Sequence, residues 1–339
     1  MARRLLLLLL ILSTIATVLT AQTLDEMRAG EDIVMPYDAR QIAMGGTGVA
    51  SGNGPFATQA NPAAAQERHD FQFGYTRGFG LDDYREDGGY RALGCAVEFK
   101  SWRLGMVYRS EDFAYIEDMV HPPEPDRERD QPRRSDIDVA GSLDITSLFR
   151  ADPDRWFIRA GGSVRILGVT DVDSQDHVET DGVLGFLMQR HLHGDGAMRH
   201  GWRAAVAVTN VVNACTSGSA ARRSELTLAL SGHLAYKGLT SSLTYELCEP
   251  IDRSGSPAHR LGAEIRPFPW FELYGGWRED PVQYASGFSY GLGIDFFPNN
   301  PNYVRIQLGS GRFQSGEAID DTSYIVSLAT SFPSALGGY

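Results

Sequence analysis

From Phe71 onward, large apolar residues alternate with small or polar ones in segments that Gly, Pro, Asp or Asn separate. In the segment 288–296, for example, aromatic or aliphatic side chains occupy every second position, and serine, glycine or aspartate lies between them. A period of two residues predicts β-strands with one apolar face and excludes amphipathic helices. We count about 14 such strands, mostly of about 9–11 residues. The predicted spans are 69–78, 90–99, 102–110, 136–145, 156–167, 182–190, 202–211, 225–236, 239–248, 259–266, 270–278, 286–296, 303–310 and 322–332.

The connections distinguish a closed transmembrane barrel from a soluble β-sandwich, whose strands also alternate. Connections after even-numbered strands include very short ones, such as Lys100–Ser101 and Lys237–Gly238. Connections after odd-numbered strands include the longer polar stretches 110–135, 167–181 and 212–224. Short periplasmic turns and longer outer loops are typical of outer-membrane barrels. The predicted fold class is therefore all-β, a closed antiparallel transmembrane β-barrel, and a soluble sandwich or repeat protein is the alternative.

The tryptophans fall near the ends of predicted strands. Trp102, Trp156, Trp202 and Trp270 begin strands at the predicted periplasmic rim, and Trp277 lies at the opposite end of strand eleven. An amphipathic ring prefers the membrane–water interface, whereas a sandwich core would bury tryptophan in mid-strand. Trp270 departs from the pattern, because it falls in the polar register of its strand. The side chains expected to face lipid are Leu104, Met106, Ile158, Val164, Leu292 and Ile294.

The N-terminus has the layout of a secretory signal peptide. Arg3 and Arg4 precede the apolar run Leu5–Leu12, and mostly small or neutral residues continue to Ala21. We expect residues 1–21 to be cleaved and the protein to reach a bacterial outer membrane; an uncleaved N-terminal anchor is the alternative. Loss of two arginines and no acidic residue changes the formal net charge from −12 to −14. A chain this acidic repels phosphate backbones, so no nucleic-acid partner is expected.

Residues 22–68 are rich in small residues and lack the alternation of strands. Glycine permits positive φ and close backbone approach, and an Asn-Pro pair suits a turn. A compact segment of this composition fits the lumen of a barrel. The candidate plug residues are Gly45, Gly46, Gly48, Asn61, Pro62 and Ala63. The predicted divisions are a signal peptide at 1–21, an N-terminal plug at 22–68, the barrel at 69–332 and a C-terminal tail at 333–339.

The polar register of the strands carries many charged residues and should face the lumen. Burial of an unpaired charge is costly, so we expect a salt-bridged network that grips the plug; a charged translocation path is the alternative. A charged interior also argues against a wholly hydrophobic tunnel. The candidate network comprises Arg103, Arg109, Asp138, Asp144, Arg159, Arg165, Arg260, Glu264, Arg266, Asp295 and Arg305, and the same register holds Glu98, Glu246 and Glu272.

The segment before the barrel resembles a known family. Residues 38–50 read D-A-R-x-x-A-M-G-G-T-G-V-A, N-P-A follows at 61–63, and an aromatic first strand comes next. This order resembles the FadL-like superfamily of outer-membrane proteins, and within it the PorV/PorQ-type family most closely. Weaker similarities lie at 205–211, 260–266 and 291–293.

The resemblance implies a plugged barrel and two functions. Resemblance to FadL-type members implies diffusion of hydrophobic compounds or small molecules across the outer membrane. PorV/PorQ-type members imply work with the type IX secretion machinery, in which exported proteins dock or are shuttled. We expect a plugged channel of FadL-like type, with the secretion role as the alternative and a purely structural barrel as a third.

The last predicted strand suggests how the chain reaches the membrane. The stretch from Tyr324 to Phe332 alternates and ends on an aromatic residue, which resembles the recognition signal of outer-membrane barrels. The expected partners are the barrel-assembly machinery, outer-membrane lipid and lipopolysaccharide. If the protein is a channel, hydrophobic small molecules are further expected partners. If it serves secretion, the further partners are secreted proteins.

No enzyme activity and no cofactor are expected, because no Ser, His and Asp positions converge at one level of the predicted barrel. His191, His193 and His200 share one predicted turn, where solvated histidines are more common than a metal site. The acidic residues between Asp171 and Asp181 are expected to form a solvated loop, with weak divalent binding as the alternative. The sequence therefore predicts no catalytic residue and no resident metal.

Two of the three cysteines are candidates for a disulfide. Cys215 and Cys248 are both predicted at the outer mouth, with only strand eight between them. Neighbouring strands lie about 4.8 Å apart, so a loop cysteine can approach the geometry that a disulfide requires. Two independent thiols are the alternative. Cys95, in the apolar register of strand two, is expected to stay free.

Overall fold

A computed structural model describes residues 38–52, 54–64, 70–80, 90–99, 101–112, 133–170, 176–194, 198–211, 224–251, 256–280, 285–297, 304–315 and 319–333. Fourteen antiparallel strands form one closed barrel, in which each strand pairs with its neighbours in sequence and the first pairs with the last. The strands are β1 Asp70–Gly80, β2 Tyr90–Phe99, β3 Trp102–Asp112, β4 Arg133–Asp144, β5 Trp156–Thr170, β6 Asp176–His193, β7 Met198–Thr209, β8 Glu225–Tyr236, β9 Leu239–Pro250, β10 Ala258–Phe268, β11 Phe271–Asp280, β12 Ala285–Phe296, β13 Val304–Ser315 and β14 Ile319–Pro333.

Short helical segments accompany the barrel. Helices α1 (Ala39–Ala43) and α2 (Ala57–Ala60) precede it, and a 3-10 turn at Thr146–Phe149 follows β4. Within the described ranges, no helix is long and apolar enough to cross a membrane.

The strand pairing confirms the predicted fold class. Each of the 14 predicted spans overlaps one observed strand. Closure is continuous, because β1 and β14 pair from Asp70↔Pro333 to Gly80↔Ser323. A sandwich would leave sheet edges at these strands, whereas a closed barrel removes them. The sandwich alternative is therefore wrong.

The two faces of the barrel wall differ in polarity. On β3, Leu104 and Met106 are 50% and 49% exposed, whereas Arg103 and Arg109 are fully buried. Val164 on β5 is likewise 51% exposed. The apolar register therefore faces outward and the charged register faces the lumen, as the alternation predicts.

Three of the residues that were predicted to face lipid are less exposed. Leu292 and Ile294 are half-buried, and Ile158 is only 5% exposed. The connection between β4 and β5 folds back on Ile158, whose backbone oxygen accepts from Ile145 N and whose N–H donates to Thr146 Oγ1, both at 2.8 Å. The expectation that Ile158 faces lipid is therefore wrong, because this connection covers it.

Aromatic side chains mark the short-turn end of the barrel. Trp102 begins β3 and is 56% exposed, and the rings of Trp156 and Trp202 meet edge to face with centroids 5.4 Å apart. Trp270 lies in the turn between β10 and β11 and stacks on Phe268 at 5.5 Å. The predicted start of strand eleven at Trp270 is therefore wrong. Its place in a turn explains why this residue does not follow the apolar register.

Candidate functional site in the barrel lumen

Residues 38–52 and 54–64 lie against inward-facing side chains of the barrel, and we call them the N-terminal segment. Asp38 caps α1, because its side chain accepts a hydrogen bond from Gln41 N at 2.6 Å. Burial raises the pKa of Asp38 above its usual range, and the Gln41 hydrogen bond partly offsets this effect. Gly45 and Gly46 follow the helix at φ values of 70° and 83°. This left-handed conformation favours glycine, so the Gly-Gly pair turns the chain after α1.

The segment approaches the wall most closely at inward-facing glycines. A Cβ built on Gly276 would overlap the backbone of Met44 and Gly45, and one on Gly185 would overlap the side chain of Asn61. A side chain at either wall position would therefore displace the segment. The wall glycines whose Cβ would lie 3.0 Å or less from the segment are Gly74, Gly94, Gly105, Gly161, Gly185, Gly262, Gly276, Gly291 and Gly309.

Apolar contacts hold the segment against one side of the wall. Val49, Ala50 and Ala63 pack in one buried cluster with residues of β6–β8. The wall residues of this cluster, which we call the apolar sector, are Val183, Leu187, Ala205, Ala207 and Ala229. A second cluster brings α1 and Phe56 against β2, β3 and β14. The segment thus has apolar contacts on two sides of the lumen.

Wall side chains also bind the backbone of the segment. Glu246 on β9 is fully buried, and its Oε1 accepts hydrogen bonds from Gly48 N at 2.8 Å and Val49 N at 2.7 Å. Ser289 on β12 accepts from Gly45 N at 2.9 Å and donates to Ala43 O at 3.1 Å. Buried backbone groups require partners, so these side chains fix the register of the segment in the lumen.

A turn at Asn61–Ala63 lies against β5 and β6. Asn61 Oδ1 accepts from Ala63 N at 2.9 Å, and Asn61 Nδ2 donates to Val49 O at 2.9 Å. Pro62 lies against Gly161 of β5. The candidate plug residues Gly45, Gly46, Gly48, Asn61, Pro62 and Ala63 therefore all lie on the lumen side of the wall.

Arg40 connects α1 to a charged group at the short-turn end of β10–β13. Its Nε and Nη2 donate to Glu264 Oε2 at 3.0 and 2.7 Å, and its Nη1 donates to Ser51 O at 3.0 Å. Burial lowers the pKa of Arg40, but Glu264, Tyr274 and Asp38 together outweigh this effect and raise that pKa above its usual value. The other pairs of this charged group are Arg266–Glu272, Arg305–Glu272, Arg305–Asp295 and the Tyr274–Glu272 hydrogen bond.

A second charged group lies on β2–β5. Arg103 donates to Ala64 O at 2.6 Å and to Gly54 O at 2.8 Å, so one side chain ties two distant points of the segment. Arg159 on β5 donates to Glu98 on β2, which is a bridge that reaches past β3 and β4. The pairs nearer the long-loop end are Arg109–Asp136 and Arg165–Asp138.

The remaining charges predicted for the lumen lie at its ends. Arg260 on β10 lies 3.6 Å from Glu225 on β8. Asp144 accepts a hydrogen bond at 2.8 Å from the backbone N–H of Thr146, the first residue of the 3-10 turn. The alternation of the strands predicted that these residues lie on the inner face, but it did not identify most of their partners.

Charged residues that pair in the lumen but were not assigned from the sequence include Asp136, Glu225 and Arg40. Asp136 lies two residues before Asp138 in the same register, so the alternation contained the signal that could have found it. Glu225 begins β8, where strand boundaries are least certain from sequence. Arg40 belongs to the D-A-R motif, but its contact with Glu264 spans 224 residues of chain, and no local pattern predicts such a pairing.

Residues 287–291 read G-F-S-Y-G, which matches the G-x-S-x-G pattern of a hydrolase nucleophile elbow. An elbow requires a sharp turn between a strand and a helix. Ser289 instead lies within β12 and hydrogen-bonds to the N-terminal segment. The match is part of a barrel strand and gives no support to a hydrolase.

Two other candidate sites fall partly outside the described residues. The part of the chain that the structure describes contains no group of three or more His, Cys, Asp or Glu side chains able to hold a metal ion. Residues 171–175 of the acidic loop lie outside that part. Cys248 is buried on β9, but its predicted partner Cys215 lies outside the described residues, so the disulfide stays a prediction. Cys95 is a free, half-buried thiol.

Replacing Glu246 with alanine is expected to loosen the segment, because two backbone N–H groups lose their acceptor. Leaving a buried donor unsatisfied costs about 1–3 kcal/mol. We therefore expect faster hydrogen–deuterium exchange at Gly48 and Val49, measured by mass spectrometry. Glu279→Ala on β11 removes an exposed carboxylate and should leave this exchange unchanged. Equal protection in Glu246→Ala and the unmodified protein would contradict the assigned role of Glu246.

Comparison with known proteins gives matches at the level of structure only. No protein-family model and no curated protein sequence matches the chain. The toluene transporter TbuX of Ralstonia pickettii is 10% identical, with 87% of this chain and 97% of that chain covered and a TM-score of 0.46. The toluene transporter TodX of Pseudomonas putida is 12% identical, with 88% and 98% covered and a TM-score of 0.45.

The CymD monoaromatic hydrocarbon channel is also similar, at 12% identity, with 87% of this chain and 96% of that chain covered and a TM-score of 0.48. Because the TM-scores of all three are below 0.5, these likenesses carry no argument about function. The barrel assignment rests on the strand pairing itself.

Proposed function

We propose that the protein is an outer-membrane channel closed by its N-terminal segment, and that small molecules pass when the segment rearranges. The observation that carries this proposal is the closed barrel with a segment bound to its inner wall by specific contacts.

The outer face fits a bilayer. Only helices and closed barrels satisfy every backbone polar group in lipid, and this barrel is closed. Exposed apolar side chains continue around it, from Leu104 on β3 through Leu230 on β8 to Leu328 on β14, at 50%, 58% and 40% exposure. Aromatic residues lie near both ends, including Trp102 at the short-turn end and Phe288 toward the long-loop end. An apolar band between aromatic girdles supports an outer-membrane location.

The proposed plug is the N-terminal segment. It meets inward-facing glycines on nine strands: β1, β2, β3, β5, β6, β10, β11, β12 and β13. It also contacts β7 and β8 through the apolar sector and β9 through Glu246. Contacts that continue around the barrel in this way leave little of the lumen cross-section for a solute. We infer that passage requires the segment to move.

The cargo follows from the uneven chemistry of the lumen. Charged side chains line β2–β5 and β10–β13, whereas the apolar sector on β6–β8 presents Val183, Leu187 and alanines to the segment. The buried charges of β6 and β7, Asp181 and Arg203, lie at the two ends of this sector. A hydrophobic molecule would break no hydrogen bonds of the protein along the apolar sector. Elsewhere in the lumen it would separate buried charges from their partners. We propose small hydrophobic molecules as cargo and the interface between the segment and β6–β8 as their route.

A charge placed in the apolar sector tests the proposed route. In a strain that lacks the native gene, Ala205→Glu is expected to slow the uptake of a hydrophobic fluorescent probe relative to the unmodified protein, because the probe would have to displace water from a carboxylate. Ser286→Glu, at an exposed position of β12 away from this sector, is the matched control and should transport normally. Equal uptake by both variants would contradict the route.

The secretion role rests on the resemblance to PorV/PorQ-type proteins alone. Its docking surface would be the outer loops, and residues 113–132 and 212–223 of those loops lie outside the described residues. The same deletion strain separates the alternatives. Slow uptake of hydrophobic compounds with normal secretion supports the channel, whereas normal uptake with secreted proteins retained in the periplasm supports docking. If neither phenotype appears, the barrel is structural.

A further inference from the structure

A row of three large side chains crosses the outer face near the short-turn end of β5–β7. Arg190 on β6 pairs in register with Trp156 on β5 and with Trp202 on β7. Residues directly opposite each other in a sheet project from the same face. The two indole rings meet at 5.4 Å with an interplanar angle of 80°, and the Arg190 guanidinium carbon lies 6.0 Å from the centre of the Trp156 ring. The guanidinium is thus held against aromatic carbon.

Arg190 has no carboxylate partner in the described part of the chain. The described residues of β6 and β7 from Val183 to Thr209 include no Asp or Glu. Beyond the row, toward the end of the hairpin, His193 and His200 are exposed register partners. In the turn before β5, Asp152 and Asp154 are exposed, and Asp152 pairs with Arg155 at 3.4 Å. Among the described residues, no ion pair neutralises the charge of Arg190.

The position of the row indicates what neutralises this charge. Tryptophan prefers the membrane–water interface, and on the other side of the row β6 continues with the outward-facing apolar residues Met188, Phe186 and Leu184. A guanidinium at this depth can extend its charged end to the level of the headgroups while its stem stays on apolar surface. Its planar donors match the oxygens of a phosphate.

We propose that Trp156, Arg190 and Trp202 form a binding site for the headgroup phosphate of an anionic phospholipid. The site rests on the proposed membrane location and extends it to a specific lipid class. The Trp156 ring restricts the guanidinium before the lipid binds, so less side-chain entropy is lost on binding. The hairpin of β6 and β7 would then fix the depth of this side of the barrel in the bilayer.

Lipid retention tests the site. The mature protein is inserted into vesicles of equal phosphatidylglycerol and phosphatidylcholine and extracted gently in detergent, and retained lipids are counted by mass spectrometry. We expect about fivefold enrichment of phosphatidylglycerol, the factor for about 1 kcal/mol from one basic side chain at an anionic surface. Arg190→Gln should reduce the ratio to nearly one. Arg155→Gln, which removes an exposed arginine of the same rim, should keep the enrichment.

Each other outcome has a definite meaning. Equal enrichment in Arg190→Gln and the unmodified protein would overturn the site, and so would an equal loss in Arg155→Gln, because that would indicate general surface charge. Displacement of phosphatidylglycerol by inorganic phosphate at physiological ionic strength would overturn the assignment to lipid. Failure of the unmodified protein to insert into vesicles would contradict the proposed membrane function, whereas insertion without lipid preference would contradict this site alone.

Discussion

Deleting residues 22–64, with the signal peptide at 1–21 retained, is expected to raise the single-channel conductance of the barrel several-fold in planar bilayers. The deletion removes the N-terminal segment, whose contacts continue around the inner wall. Charged wall residues that now bind the segment, such as Arg103, Glu246 and Glu264, would then face water, as in the polar interior of a porin. The strand pairing that closes the barrel does not include the segment, so the deleted protein should still fold.

Folding of the deleted protein must be verified independently of the current. A barrel that remains folded migrates differently on gels before and after heating, and its circular dichroism spectrum shows strand. The double variant Glu246→Ala, Arg40→Ala, which weakens two anchors of the segment, should give an intermediate current with frequent transitions. An unchanged current from a folded deletion variant would show that the segment does not block the lumen.

Replacing Val164 with arginine is expected to destabilise the barrel by about 2–4 kcal/mol, the cost of an arginine near the midplane of a bilayer. Val164 lies in the middle of β5 and is 51% exposed, and its register partner Val139 is 54% exposed. The new guanidinium would therefore enter lipid. The free energy of unfolding is measured by urea titration in lipid vesicles.

Val178→Arg is the matched control for this prediction. Val178 is 74% exposed, and it lies in the part of β6 that pairs with β5 but extends past β7, whose pairing with β6 ends at Val183↔Thr209. An arginine there should cost only about 0–1 kcal/mol, the range near an interface. Equal losses at both positions would show that the proposed bilayer boundary is wrongly placed.

The strands could be predicted from sequence because period-two alternation and turn residues are local signals. The span 225–236 agrees with β8 at both ends, since a Lys-Gly turn follows it and a polar loop precedes it. By contrast, β6 was predicted at 182–190 but extends from Asp176 to His193. Its first residues pair with β5 from Asp176↔Thr170, beyond the last pair with β7, and its last residues follow an irregularity in the pairing with β7. Alternation gives no signal at either end.

The site could be predicted only in part, because its contacts cross the lumen. Register alone placed Glu246 and Glu264 on the inner face. It could not show that Glu246 accepts two backbone hydrogen bonds from the Gly48 region or that Glu264 pairs with Arg40. Such contacts depend on how the segment is oriented inside the barrel, and only the three-dimensional arrangement of all strands determines that orientation.

The location of the segment is tested most directly by a disulfide between α2 and the inner wall. A Cβ built on Gly105 lies 3.5 Å from Thr58 Cβ, at the short end of the range of about 3.5–4.5 Å found in disulfides. The variant Thr58→Cys, Gly105→Cys is prepared with the native cysteines replaced by serine. Thr58→Cys, Leu104→Cys is the control, because Leu104 is the neighbouring residue on the outer face.

We expect the Thr58–Gly105 pair to form a disulfide on mild oxidation, with both thiols protected from alkylation and the bilayer current low. The Thr58–Leu104 pair should remain reduced. If the Thr58–Gly105 thiols stay alkylatable in a folded barrel while the Thr58–Leu104 pair crosslinks, the segment does not lie in the lumen, and the proposal of a plugged channel is wrong.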